Sequence, residues 1–208
     1  MDSEGLDGGI YKPLSEAGIV AIHNAALNIL ENTGMTYEEG LGETLEMLAA
    51  AGVSVDSAKK RIYFPRELVA AQAARAPRRV ILHGRQAAHD LDLTGDKVHI
   101  GTGGAAIKIL DIDTGEARPT TLKDIHELGR LVDQLDHIHF FLRPCIPTDI
   151  PESAYDVNMF YACMRATTKH VMSGVNNEDG LAAVIGLASL LAGGREALRA
   201  KPFFSVIT

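Results

Sequence analysis

The sequence predicts an α/β protein in which a helical cap and a small β-sheet precede a series of strand–helix units. Three apolar, strand-like segments have their centres near residues 140, 172 and 205, so successive centres lie 32 and 33 residues apart. Helical periodicity fills the intervals between them. An eight-unit barrel uses about 31 residues for each unit. A doubly wound sheet has similar spacing, so periodicity leaves both architectures open.

The helical cap and the small sheet occupy a first predicted domain, residues 1–118. Apolar periodicity predicts helices over residues 14–33, 38–51 and 65–74. Gly34 and Gly52 follow the first two helices, where glycine commonly ends a helix. Short apolar runs, bounded by Gly, Pro and Asp, predict strands over residues 61–64, 79–83, 97–100 and 107–110.

The second predicted domain, residues 119–208, is more regular. Thr121 and Asp124 have the spacing of a capping box, and the helix behind them has one apolar face. Arg118, just before this box, is expected to anchor the sheet through an ion pair. Asn177 suits the cap of a later helix. Strands over residues 138–142, 170–175 and 203–207 alternate with these helices and with one over residues 155–166.

The last predicted strand, residues 203–207, would be an exposed apolar edge of the kind that complete domains avoid. Three parallel strands would leave two such edges open. We therefore expect the sequence to be a fragment of a longer protein, or a chain that needs further material to fold.

Composition argues against several classes of function. The formal net charge is −7 at pH 7 and no basic stripe is present, which argues against a nucleic-acid partner. The N-terminus is acidic and polar, unlike a signal peptide, and no apolar run reaches the roughly 20 residues of a membrane span. Cys145 and Cys163 lack a metal-type spacing and are expected to be free thiols. We predict a cytoplasmic protein without membrane association.

A glycine-rich stretch, which includes Gly101, Gly103 and Gly104, follows a predicted strand. Gly101-x-Gly103-x-x-Ala106 resembles a dinucleotide fingerprint, but that motif requires a helix to follow. Residues 107–111 predict a strand instead, so a nucleotide site is disfavoured. The alternatives are a tight turn or a close backbone approach in the small sheet, and a loop that borders an active site.

The loop after residues 138–142 is longer than the usual two to six residues of such connections. Loops of this kind concentrate binding and catalytic groups. Arg143, Cys145 and Asp149 are its candidate ligand-facing residues. Asp149 suits either a cation or the cap of a helix that begins near Pro151. Cys145 has no base beside it in the sequence, which argues against a nucleophile.

Ser173 and Asn176 end the next strand and are predicted to face the same opening, whereas Asn177 suits a helix cap. His137 and His139 lie on one face of a strand, as the paired ligands of metal-dependent amidohydrolases do. However, both lie at the start of that strand, and active sites of barrels gather at the opposite end. Structural or solvated histidines are therefore favoured, and no metal is predicted.

Several sequence blocks occur in a fixed order along the chain. The most distinctive is Asp113-Thr114-Gly115-Glu116-x-Arg118-x-x-Thr121-x-x-Asp124. The others are residues 29–34, Arg61-x-x-x-Pro65, Ala76-Pro77, His83-Gly84-Arg85, residues 101–104, Cys145-x-Pro147-x-Asp149-x-Pro151 and residues 168–170. In this order they resemble the trimethylamine methyltransferase (MttB-like) family over nearly the whole chain. Members of that family are more than twice as long, and the region where methylamine-specific members carry pyrrolysine would lie beyond Thr208.

The resemblance implies a (β/α)8 barrel of the TIM type, of which residues 119–208 would be the first part. It implies demethylation of a tertiary or quaternary amine, such as trimethylamine or glycine betaine. The methyl group would pass to cob(I)alamin on a separate corrinoid protein, in methylamine metabolism and methanogenesis. No cofactor is expected on this chain itself, and the full-length protein is expected to be a homo-oligomer. The residues expected to face substrate or corrinoid are Gly101, Gly103, Gly104, Arg143, Cys145, Asp149, Ser173 and Asn176, and catalytic residues are not identified.

Two alternative functions stay open. The chain could be a catalytically inert partial barrel that binds a partner chain or stabilises an assembly. Less favoured is a metal-dependent amidohydrolase-like enzyme, which would use His137 and His139 as ligands.

Overall fold

The computed structural model describes residues 5–207, which divide into two compact units. The smaller unit is Gly9–Arg78, and the larger one combines residues 5–8 with residues 79–207. The domain boundary predicted at residue 118 stays a prediction, since compactness alone does not show which segments fold independently. Among the described residues, no helix has both the length and the apolar character to cross a lipid bilayer.

The first described strand, β1 (Leu6–Asp7), belongs to the larger unit. The smaller unit packs three helices with a three-stranded antiparallel sheet in the order β2-β4-β3. Its first helix begins where the Ser15 hydroxyl accepts a hydrogen bond from the Gly18 N–H at 3.1 Å. The elements are α1 (Glu16–Asn28) with a π-helical turn (Ile29–Thr33), β2 (Met35–Thr36), α2 (Gly42–Ala50), β3 (Ser54–Asp56), β4 (Arg61–Tyr63) and α3 (Arg66–Arg75).

Gly34 and Gly52 adopt positive φ angles of 70° and 96° after the first two helical segments, which is the role that the sequence predicted. The strands β2 and β3 were not predicted. With two and three residues, they are too short to show an alternating pattern.

The small sheet predicted over residues 79–111 is not a single sheet. The described strands form separate antiparallel pairs. β1 pairs with β7 (Lys97–Val98), which begins two residues after Gly95. The other pairs are β5 (Ile81–Leu82) with β6 (Leu91–Asp92) and β8 (Lys108–Leu110) with β9 (Ala117–Pro119); a 3-10 turn covers Ala87–His89.

The main strands and helices of the regular region that follows were predicted from the sequence, whereas the short helix over Arg195–Ala200 was not. The capping box opens α4, since the Asp124 N–H donates to the Thr121 hydroxyl and the Thr121 N–H donates to the Asp124 carboxylate. The elements are α4 (Leu122–Asp133), β10 (Phe140–Leu142), a 3-10 turn (Glu152–Ala154), α5 (Tyr155–Ala166), β11 (His170–Gly174), α6 (Glu178–Ala192), α7 (Arg195–Ala200) and β12 (Phe204–Ile207).

The strands β10, β11 and β12 form a parallel sheet in chain order, as predicted. Phe140 pairs with His170, and Val171 pairs with Phe204. Phe141 and Val171 therefore share one face of the sheet. Both are buried in one core cluster with residues of α4, α5 and α6, including Ile125, Met159, Phe160 and Val184.

The glycine-rich segment (residues 101–106) runs parallel to β10 along the edge opposite β11. Gly101 bridges Phe140 and Ala106 bridges Cys145, both in parallel orientation. The Ile146 N–H also donates to the Ala106 carbonyl at 2.9 Å. The sequence left a turn, a close backbone approach and a loop open here. The structure shows an extended segment parallel to β10. Two isolated bridges hold it beside the strand, without a continuous ladder of backbone hydrogen bonds.

Candidate functional site

The carboxyl ends of neighbouring parallel strands meet at one edge of a sheet, where ligands of open α/β proteins bind. Arg143 follows β10 directly, Ser173 lies near the end of β11, and Gly103 and Gly104 lie in the glycine-rich segment beside β10. The structure thus brings most of the predicted candidates to this edge. The direction of each side chain then separates them into two groups.

Arg143 connects the sheet to the start of α5. Its Nε donates to the Ser173 hydroxyl at 3.0 Å, and its Nη1 donates to the Tyr155 hydroxyl at 3.3 Å and to the Cys145 carbonyl at 3.5 Å. Because side chains alternate along a strand, Arg143 and Ser173 lie on the face that carries Phe141. This is the face covered by helices, and these contacts brace the sheet against α5.

Ser173 and Cys145 are almost fully buried, with 1% and 2% of their surfaces exposed. Burial also raises the pKa of the Cys145 thiol, so the thiol stays protonated near neutral pH. Burial likewise raises the pKa of the Tyr155 phenol. Neither the thiol nor the Ser173 hydroxyl is presented to a ligand from the opposite face of the sheet.

The opposite face of the sheet carries Gly103, Leu142 and Met172 near its carboxyl edge, whereas Gly101 lies beside Phe140 at the amino end of β10. A Cβ atom built on Gly101 would collide with the Phe140 ring, and one on Gly103 would lie 3.7 Å from Leu142 Cδ2. Gly101 therefore cannot carry a side chain without displacing Phe140. Leu142 and Met172 were not predicted as site residues, although the alternation of side chains along each strand would have identified them.

Gly104 and Gly174 also lie at the carboxyl edge of the sheet. Together with Gly103 they form a set of positions without side chains, here called the glycine rim. Gly104 is exposed and has a φ angle of 110°, a conformation that favours glycine. Gly174 ends β11, and a Cβ there would lie 3.4 Å from the Ile207 carbonyl oxygen. At these glycines the rim presents backbone without a side chain.

Asp149 and Asn176 make local contacts in the structure. The Asp149 carboxylate accepts the Leu122 N–H at 2.9 Å and therefore caps α4, rather than the helix after Pro151. Asn176 is exposed, and its backbone N–H donates to Asp156 at 2.9 Å. Asn177 caps α6 by accepting the Gly180 N–H at 2.8 Å, as predicted.

Asp156 is a buried carboxylate that the sequence reasoning missed. It is 5% exposed, and its Oδ1 has no hydrogen-bond partner among the described residues. Its Oδ2 holds the loop between β11 and α6, and a Cβ on Gly180 would collide with the same carboxylate. No local sequence signal marks this residue, because its partner lies 20 positions away.

The paired histidines do not act together. His139 is buried, and its Nδ1 accepts the Ile100 N–H at 2.9 Å, whereas His137 is exposed. Burial lowers the pKa of the His139 imidazole, which favours this neutral form. The backbone N–H of His139 donates to the Ile100 carbonyl at 2.6 Å, so two hydrogen bonds hold the residue that precedes the glycine-rich segment against His139. Within residues 5–207, no group of three or more metal-ligating side chains is present.

The predicted ion pair of Arg118 is present. Its Nη1 and Nη2 each donate to one oxygen of Asp124 at 2.8 Å, and its Nε donates to Asp111 at 2.9 Å. The guanidinium holds the pKa of the buried Asp124 carboxyl far below its usual range. Arg118 thus ties the hairpin of β8 and β9 to the start of α4.

At the amino end of the sheet, residues 83–85 contact residues 168–170, which are two of the blocks that resemble the family. The Arg85 N–H donates to the Thr168 carbonyl at 2.8 Å, and His170 Nδ1 donates to the His83 carbonyl at 2.8 Å. Lys169 is 2% exposed, and its ammonium donates to three carbonyl oxygens at the end of α4 and beyond, those of Val132, Leu135 and Ile138, at 2.6–2.7 Å. These contacts are structural, because they satisfy buried polar groups at the edge opposite the rim.

A family model described as trimethylamine methyltransferase (MTTB) matches residues 7–208. The trimethylamine methyltransferase MttB of Desulfitobacterium hafniense (strain DSM 10664 / DCB-2) is 34% identical over 191 residues, which cover 92% of this chain and 38% of that protein.

Two further relatives are similar over the same region. The glycine betaine methyltransferase of Desulfitobacterium hafniense (strain Y51) is 28% identical over 193 residues, which cover 92% of this chain and 39% of that protein. The trimethylamine methyltransferase MttB of Methanosarcina barkeri (strain Fusaro / DSM 804) is 28% identical over 198 residues, with coverages of 90% and 38%. The chain therefore spans about 38% of the length of the curated relatives that it matches.

Proposed function

This chain belongs to the trimethylamine methyltransferase (MTTB) family, and on that premise we propose a methyl-transfer activity for the protein of which it forms part. The protein takes a methyl group from a tertiary or quaternary amine and passes it to the cob(I)alamin of a partner corrinoid protein. The family match across residues 7–208 carries the proposal. Relatives named for trimethylamine and for glycine betaine support the two amine classes.

The proposed fold is a (β/α)8 barrel of which this chain contributes the first half. The glycine-rich segment, β10, β11 and β12 succeed one another in chain order and in parallel orientation. Helices connect β10 to β11 and β11 to β12, which supports the barrel over an antiparallel arrangement. Four further strand–helix units, rather than the five implied by counting from β10, would complete the eight.

Methyl transfer from a quaternary amine needs no acid or base catalyst from the protein. A quaternary ammonium leaves as a neutral amine, so it requires a nucleophile aligned behind the methyl carbon but no proton. Cob(I)alamin, when present on the partner, supplies that nucleophile. The contribution of the protein is orientation and exclusion of water. A tertiary amine needs additional activation, and the groups that would supply it are not among those identified in this chain.

The rim of this chain fits such an approach. Gly103, Gly104 and Gly174 place no side chains at their own positions on the carboxyl edge, which gives a broad planar group room to come close to the backbone there. Leu142 and Met172 give the neighbouring surface an apolar character. The corrinoid is held by its own carrier protein in this proposal, and the chain binds no cofactor itself. A cytoplasmic homo-oligomer is part of the same proposal.

Methyl transfer by the full-length protein tests the activity. Corrinoid protein reduced to the cob(I)alamin state is mixed with enzyme and either trimethylamine or glycine betaine, and the visible absorbance of the cobalt centre is followed. Conversion to methylcobalamin with one of these amines is expected. If neither these nor related methylated amines methylate the cobalt, the proposal fails.

A pair of glycine variants tests the role of the rim. Gly103→Val should lower kcat/KM by about tenfold or more, because the new side chain occupies the path of the arriving group. Gly186→Val is the control, since a Cβ on Gly186 has open space around it on α6. Equal activity of both variants would remove the rim from the site. The 208-residue chain without the rest of the barrel is expected to be inactive in this assay.

A further inference from the structure

A cleft at the amino end of β12 combines two cations with an apolar floor. Its volume is about 240 Å³, and it lies within the larger unit, away from the glycine rim. Arg85 and Lys201 supply the positive charge, and Leu191, Ala197 and Phe203 supply apolar surface. Among residues 5–207, no acidic side chain lines this cleft. In a chain with a formal net charge of −7, such a cleft stands apart from its surroundings.

The guanidinium of Arg85 is only partly satisfied by the protein. Its Nη2 donates to the Thr167 carbonyl at 3.0 Å. It forms no ion pair with the described residues, and Asp133 acts on it only through space. Partial burial lowers the pKa of Arg85, since the charged group loses part of its hydration and the negative charge of Asp133 offsets only part of that loss. The remaining N–H donors of the guanidinium are available to a ligand.

Lys201 adds a second charge on the same cleft. It is exposed, follows α7, and forms no ion pair with the described residues. The backbone near the two cations is fixed, because the Arg85 N–H donates to Thr168 and the Lys201 N–H donates to Ala197 at 3.1 Å. Two unpaired cations on one small cleft repel each other, and an anion between them relieves that repulsion.

We propose that this cleft binds a small organic oxyanion whose carboxylate or phosphate group contacts Arg85 and Lys201 and whose apolar body lies on Leu191 and Phe203. Arginine suits this role because its planar fork matches two oxygens of a carboxylate or phosphate. The volume is below the roughly 300–1,000 Å³ of sites for drug-sized molecules, so the ligand has few carbon atoms. The site is separate from the methyl-transfer rim and does not depend on the proposed activity.

Titration calorimetry on the intact chain tests the proposal with two probes, benzoate and inorganic phosphate. Saturable binding of at least one probe is expected, with a Kd of about 1 mM or tighter. Added NaCl should weaken binding, because the contacts are electrostatic and partly exposed. Benzoate alone would identify carboxylates as the ligand class, and phosphate alone would identify phosphates. Binding of neither probe would overturn the proposal.

Three variants localise the binding. Arg85→Gln should weaken the Kd about tenfold, and Arg85→Lys should recover only part of the loss, because lysine lacks the planar fork. Lys201→Gln should have a smaller effect, since its ammonium is a single exposed charge. Arg165→Gln is the matched control, because Arg165 lines a different cleft, between α4 and α5. Unchanged binding by a folded Arg85→Gln protein, with folding checked by circular dichroism, would also refute the site.

Discussion

The two compact units differ in how they bury their apolar residues. In the Gly9–Arg78 unit, the buried apolar side chains among the described residues are Leu27, Val53 and Ile62. Its helices and sheet surround an open apolar cavity of about 630 Å³. In the larger unit, Phe141 and Phe160 have no exposed surface, and one cluster joins the sheet to its helices. Both units combine helices with a sheet, but the helices of the larger unit pack on a parallel sheet in one apolar cluster, whereas the short antiparallel sheet of the smaller unit leaves its cavity open.

The comparison predicts that core substitutions will cost most in the larger unit. Phe141→Ala should lower the free energy of unfolding by about 3–5 kcal/mol, because it opens a cavity in a fully packed interior. Ile62→Ala in the smaller unit should cost about 2 kcal/mol, since an open cavity relaxes more easily. Urea unfolding followed by circular dichroism measures both. Equal losses would contradict the distinction between the units.

The second prediction concerns the buried ammonium of the larger unit. Lys169→Met keeps the apolar stem but leaves the carbonyls of Val132, Leu135 and Ile138 without their donor. Loss of about 3 kcal/mol of stability is expected, because hydrogen bonds from a charged donor are strong and the acceptors stay buried. Thermal unfolding measures this. Lys123→Met, at an exposed position on α4, is the control and should change little.

The third prediction is a change in acid sensitivity. The native pKa of Asp124 lies below that of the unfolded chain, so the stabilisation from the Arg118 contact is complete above about pH 4. It is lost as the pH falls below that value, because the unfolded state then binds more protons. Arg118→Met should make the fall in stability below pH 4 less steep. Unfolding in urea at a series of pH values measures the slope. An unchanged slope would show that the pair does not control acid unfolding.

The smallest effect is expected at the open cavity of the smaller unit. Met47 lines this cavity with 64% of its surface exposed, so Met47→Gln should change stability by no more than about 0.5 kcal/mol. The measurement is a thermal melt of the intact chain. A loss of about 2 kcal/mol or more would mean that the cavity is covered in solution, and the contrast between the units would then disappear.

Sequence reasoning predicted the elements that have strong local signals. The capping box at Thr121 and Asp124, the apolar strand β11 and the helix capped by Asn177 all lie where the pattern placed them. For the glycine-rich segment the sequence left a turn and a close backbone approach both open, because glycine signals a turn as readily as a close approach between a strand and a ring. Only the position of Phe140 decides between the two.

The candidate site was predicted less well than the fold. Sequence position brought Arg143 and Ser173 to the correct edge, but their side chains lie on the helix-covered face. Leu142 and Met172 precede Arg143 and Ser173 by one residue and lie on the other face of the sheet. A shift of one residue along a strand therefore decides whether a side chain packs against the helices or faces the open side. Asp156 and Lys169 could not be identified, because their partners lie 20 to 37 positions away along the chain.

The chain-order arrangement of the parallel sheet has a consequence for biosynthesis. In this sheet β11 pairs with β10 and β12 pairs with β11, so each of these strands joins the strand of the same sheet that was translated before it. A nascent polypeptide can therefore add each unit to an existing edge as it leaves the ribosome, without waiting for distant sequence. The edge strand keeps unpaired backbone N–H and C=O groups until the next strand joins it, and a chaperone that shields apolar strands would act at that edge.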